Sequence, residues 1–61
     1  MRLEPLELRL LRQGGPLLDQ VRQALAAHGR PLRWAITAVE PSPEGPVLVV
    51  EAVVVVIEDD L

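Results

Sequence analysis

The sequence predicts a small α+β domain of order β-α-β-β, in which one helix packs on a three-stranded, mainly antiparallel sheet. Three observations predict it. Leu6-Glu-Leu-Arg-Leu10 alternates with a period of two. Leu17, Leu18, Val21, Ala24, Leu25 and His28 recur at three- and four-residue spacings just after Gly14-Gly15-Pro16. The run from Pro46 to Glu58 is apolar at odd and even positions alike, as a strand covered on both faces is.

Taken in order, the first strand spans Leu6 to Leu11, with Leu6, Leu8 and Leu10 toward the core. Leu also favours helices, but Pro5 disfavours the helical conformation at Glu4 and tips the choice to strand. Gln13-Gly-Gly-Pro16 then opens the helix, with Gly15 as N-cap and Pro16 as the first helical residue, where its missing N–H is not needed. Asp19 suits the positive end of the helix dipole, and His28 and Arg30 the negative end. Gly29 is placed as a left-handed C-cap and Pro31 as the stop.

Leu32 to Glu40 contains the β-favouring Trp34, Ile36, Thr37 and Val39, and Pro41-Ser-Pro-Glu-Gly-Pro46 follows as a loop. A second strand and a hairpin result. The third strand runs from Val47 to Glu58, antiparallel to the second because a parallel return would need a crossover of about a dozen residues or more. Strand one lies either beside strand two and parallel to it, or beside strand three and antiparallel to it. The acidic end Asp59-Asp60-Leu61 is expected to fray.

A hairpin register pairing Glu40 with Val47 sorts the side chains into two faces. Leu32, Trp34, Ile36 and Ala38 then share a face with Val47, Val49, Glu51, Val53, Val55 and Ile57. The other face carries Arg33, Ala35, Thr37 and Val39 beside Leu48, Val50, Ala52, Val54 and Val56. Ala35 opposite Ala52 gives this second face a shallow centre, so the helix is placed there. The first face is left for another subunit, with Val47, Val49, Val53, Val55 and Ile57 as its interface residues. Burying these five at roughly 1.5–3 kcal/mol each gives about 7–15 kcal/mol gross. That is as large as the roughly 5–15 kcal/mol net stability of a typical domain.

Size points the same way. The 61 residues form one domain at most, in a range where about 60% of the unfolded chain's surface is buried. There is no Cys and only one His, which removes disulfides and the usual metal sites and leaves oligomerisation as the staple. The partner expected is therefore a second copy of the chain. The charged N-terminus lacks the apolar core of a signal peptide. The stretch from Val47 to Ile57 is interrupted by Glu51 and falls short of the roughly 20 residues of a membrane helix, so a cytoplasmic location is the default.

The net charge is −3, and all six basic residues are Arg within the first 33 positions, whereas only acids follow. This layout suits pairing of a basic half with an acidic half, within or between subunits. Nucleic acid is disfavoured, because the chain is acidic and has a single aromatic residue. No catalytic constellation emerges. Ser42 sits between prolines without a nucleophile frame, Gly14-Gly15 lacks the Lys and spacing of a phosphate loop, and His28 serves the helix end. Glu51, if partly buried, is a candidate acid or base, but it reads better as a rim charge paired with an Arg of another subunit. The protein is not expected to be an enzyme.

Trp34 is the only aromatic ring. The β-α-β-β order, the chain length and the segment Arg33-Trp34-Ala35-Ile36-Thr37-Ala38-Val39-Glu40 after a helix resemble the dodecins, small flavin-binding proteins that assemble into hollow dodecamers. In that family a Trp early in the second strand stacks on the flavin, so the resemblance implies a cofactor-binding role for Trp34. The helix here is shorter and the hairpin loop Pro-rich. The third strand has no Gln to match the family's flavin-bonding residue, and Val53 to Val56 supply only apolar contact. Two functional expectations follow: a homo-oligomeric structural or interaction protein without a cofactor, or a dodecin-like binder of flavin or another flat aromatic ligand.

Overall fold

The computed structural model of the protein describes residues 1–57. Strand β1 (Arg2–Leu11) is followed by helix α1 (Leu17–Ala26) and strands β2 (Arg30–Glu40) and β3 (Val47–Val56). This is the β-α-β-β order, with three strands in one sheet ordered β1-β3-β2 and β3 antiparallel to both neighbours. The third strand takes the centre because it alone is apolar on both faces. The expected fraying of Asp59-Asp60-Leu61, and the extension of the third strand to Glu58, lie outside the described residues.

Strand β1 is four residues longer at its start than the alternation of Leu6 to Leu10 indicated, and it passes through Pro5. Its position at the sheet edge explains this. The Arg12 N–H donates to the Pro46 carbonyl at 2.8 Å. Even-numbered residues of β1 therefore hydrogen-bond to β3, and Pro5, opposite Val53, turns its missing N–H to the free edge. A proline there also removes one donor from an edge open to pairing.

Two corrections apply to the helix start. Pro16, rather than Gly15, is the N-cap, with φ −64° and ψ 127°. Its carbonyl accepts the Gln20 N–H at 3.3 Å, while Gly15 makes the preceding turn at φ +99°. Gln20 joins the helix to the strand before it. Its Nε2 donates to the Leu11 carbonyl at 2.6 Å, and its Oε1 accepts from the Gln13 N–H and from Arg12 Nη1, both at 3.2 Å. One amide thus ties the end of β1 to the first turn of α1. Gln20→Ala is expected to destabilise the protein by about 1–2 kcal/mol. It should also speed amide hydrogen exchange at Gln13, and an unchanged exchange rate there would refute the tie.

The helix buries a narrower stripe than its spacing implied. Val21 and Leu25 are 0% exposed, whereas Leu18 is 52% exposed and His28 lies outside the helix on the surface. The last turn closes when the His28 and Gly29 N–H groups donate to the Leu25 carbonyl at 2.9 and 3.2 Å. Gly29 then has φ +157° rather than a left-handed C-cap conformation. The core consists of Val21 and Leu25 against Leu48, Val50 and Ala52, with Leu6, Leu8, Leu10, Leu17, Trp34 and Ile36 packed around them.

The helix therefore lies on the Leu48-Val50-Ala52 face of β3, as expected, but Trp34 lies there too. The reason is a change of register within the hairpin. Glu40 pairs with Val47, Val39 with Leu48 and Ala38 with Val49, as the sequence reading assumed. Thr37 is then left over. Ile36 pairs with Val50, Ala35 with Glu51 and Trp34 with Ala52, one residue out of the earlier phase. One extra residue reverses the direction of every side chain beyond it. The Thr37 hydroxyl donates to the Val49 carbonyl at 3.3 Å, a side-chain bond at the bulge itself. A second irregularity at Leu32 resets the strand where it leaves the helix.

Candidate self-association surface

The face of the sheet away from α1 is built from five rungs across β1, β3 and β2. From the hairpin end they are Leu11, Val47 and Glu40, then Arg9, Val49 and Ala38. Glu7, Glu51 and Ala35 make the middle rung, followed by Pro5, Val53 and Arg33. Leu3, Val55 and Arg30 form the last. All of Val47, Val49, Val53 and Val55 thus point away from the helix, and Ile57 follows β3 with 75% of its surface exposed. Leu3 and Leu11 add exposed apolar surface that the sequence reading had not assigned to this side.

The five expected interface residues are not equally available. Val49 is already buried at 6% exposure, although no helix covers it. The ion pair of Arg9 with Glu40 closes above it, linking the two outer strands across the central one. Both partners are about half exposed, so the pair itself adds little stability. Arg9 stands directly opposite Val49, where an arginine stem is able to shield a valine. Val47, Val53 and Val55 remain half-buried.

The middle rung is the polar exception. Glu7 and Glu51 stand directly opposite one another at a non-hydrogen-bonded position, where side chains approach most closely. Like charges so placed oppose the pairing. Ala35, on the other side of Glu51, has no bulk to fill the space, so a shallow depression opens, bordered by Pro5, Glu7, Arg33, Thr37 and Val53. Among the described residues, the side chains of Glu7, Glu51 and Arg33 make no hydrogen bond or ion pair. Glu51 is exposed here, so the partial burial that made it a candidate acid or base is absent.

Trp34 corrects the earlier picture of this surface. It does not stand beside Val53 on the open face but is half-buried against the core under α1, its partner across β3 being the small Ala52. A second groove runs along the β2 edge, where Arg22 of α1 faces Arg30, Leu32 and Arg33 with the Trp34 side chain at its wall. Sequence reasoning missed Arg33 and Glu7 as members of the open face. A signal was present: the apolar residues of β2 sit at even positions at Trp34 and Ile36 and shift to odd at Val39. Such a slip of phase marks a bulge.

Among the described residues no group of three or more His, Cys, Asp or Glu could hold a metal ion, and no helix is long and apolar enough to cross a membrane. Ser42 has a structural role. It starts the hairpin turn, with its hydroxyl donating to the Gly45 carbonyl at 2.6 Å and the Gly45 N–H donating back to its carbonyl at 3.0 Å.

No curated protein and no solved structure matches this chain. A family model does match, over residues 2–56, which run from the first residue of β1 to the last of β3. The chain belongs to that family, described as a domain of unknown function (DUF8621).

Proposed function

We propose that the protein is a homo-oligomeric structural or interaction module of the cytoplasm, and that it self-associates through the open face of its sheet. The observation that carries this reading is the row Val47, Val53 and Val55 with Leu3, Leu11 and Ile57, apolar surface left without cover by the only helix among the described residues. Exposed apolar side chains gathered on one face of a domain mark an interaction site. Binding rather than catalysis is its chemistry, and a Cys-free chain fits a reducing compartment.

Native mass spectrometry at micromolar concentration tests this directly and reports any retained ligand in the same spectrum. The wild-type chain is expected as an oligomer without cofactor. Val53→Glu should raise its dissociation constant by about 100-fold or more, because a carboxylate buried without a partner costs several kcal/mol. A wild-type monomer would end the proposal.

The second reading is a dodecin-like binder of flavin or another flat aromatic ligand, for which the half-buried ring of Trp34 beside the β2-edge groove is the supporting feature. Packing of that ring against the helix-side core leaves it less free to stack, so this reading ranks second. Flavin retained in the same spectrum would reverse the order.

A further inference from the structure

We infer that the open face is completed by a second copy related by a two-fold axis, with Arg33 of each protomer meeting the Glu7 and Glu51 carboxylates of the other. This rests on the self-association reading and names the contact that gives it specificity. Three observations lead to it. Glu7 and Glu51 are opposed on adjacent strands at the middle rung of the face, with Val49 and Val53 of the central strand on either side. Arg33 borders the same depression one rung away, and none of the three makes an ion pair among the described residues. Ala35 leaves room above the middle rung for a side chain from outside.

The carboxylates restrict the partner. A purely apolar surface closing on this face would bury two like charges with nothing to compensate them, which is strongly unfavourable. The partner must bring a cation to the centre of the face. A second copy does so by symmetry, since in a two-fold interface a contact of residue i with residue j is repeated as j with i. Sheets packed face to face lie about 10 Å apart. An arginine reaching from one sheet and a glutamate from the other fill such a gap, and the planar guanidinium suits bonding to two carboxylate oxygens at once. Of the other charges on this face, Arg9 and Glu40 are already paired with each other toward the hairpin end, and Arg30 stands at the opposite end, two rungs from the carboxylates where Arg33 is one.

Charge exchange between protomers tests the contact. Arg33→Glu and Glu51→Arg are each expected to weaken self-association about tenfold or more in sedimentation equilibrium, with folding checked by circular dichroism. Mixing the two variants in equal amounts should restore association to within about threefold of wild type, the range expected when the lost pair is re-formed. Within each variant protomer positions 33 and 51 carry like charges, so rescue on mixing arises only between protomers. If wild type associates but either variant does too, undiminished, this contact is refuted and the apolar-face reading stands. Weakening without rescue also refutes it. A wild-type monomer overturns both.

Discussion

Replacing Leu25 by Ala should cost the protein about 2–5 kcal/mol, the range measured for emptying a buried leucine site. Leu25 is 0% exposed and, with Val21, is the part of α1 that enters the core against Leu48, Val50 and Ala52. In a chain of this length the loss is comparable to the whole net stability, so much of the Leu25→Ala population should be unfolded at room temperature. Urea unfolding followed by fluorescence gives the measurement. Trp34 is the only tryptophan and packs against the same cluster, so it reports the loss of that packing. Leu18→Ala is the control. Seven positions earlier on the same helix, this leucine is mostly exposed and its truncation should change stability by only about 0.5 kcal/mol. Equal effects at the two positions would mean that α1 sits on the sheet by a different face. Both variants need comparison at one protein concentration, because association of the folded form raises apparent stability.

Gly29→Ala is expected to be the most damaging single-methyl addition. A Cβ built on Gly29 would lie 2.7 Å from the Val55 carbonyl oxygen and 3.3 Å from the Val54 side chain. Relief would require moving the backbone of the central strand or lifting the end of α1, and φ is +157°, outside the usual range of alanine. A loss of about 1–3 kcal/mol follows from the backbone conformation alone, with the close contact adding to it. Gly14 supplies the contrast, with nothing within 4 Å of an added Cβ and no positive φ. Gly14→Ala should be neutral or stabilising by about 0.4–1 kcal/mol, because alanine restricts the unfolded chain. Thermal unfolding of the pair decides the matter: a Gly29→Ala protein as stable as Gly14→Ala would contradict the close approach of this turn to β3.

The two substitutions also mark how far the chain could be read without its structure. Leu25 was placed in the core by helical spacing, and that reading is right because periodicity within one helix is a local property. Gly29 was singled out as well, but for a left-handed cap. Its tight contact is with Val55, 26 positions along the chain, and no local pattern reports that. Leu18 and His28 satisfied the same periodicity as Leu25 and are nevertheless exposed. The stripe describes which residues are able to face a sheet, whereas the width and position of the sheet decide which of them do.

The open face repeats the lesson at the candidate site. Val47, Val49, Val53 and Val55 were set on the face away from the helix, as the structure has them, because β3 runs without a bulge against β1 and its side chains switch face at every residue. On β2 the same alternation led to the wrong side for Trp34 and Arg33. The register was right at the hairpin end and reversed beyond Thr37, so Trp34 went to the core side and Arg33 to the side of the open face. Glu7 was passed over for a similar reason. Its importance comes from standing opposite Glu51, which requires β1 to pair with β3 rather than with β2.

Sequence alone was enough to determine the elements, their order, the buried spine of α1 and the two-faced character of β3, because each follows from residues close together in the chain. The tertiary structure decided the strand order β1-β3-β2, the bulge at Thr37, and with them which charges and which ring share a face. Those are properties of paired strands. An extra residue in one strand acquires meaning only against the strand it fails to match.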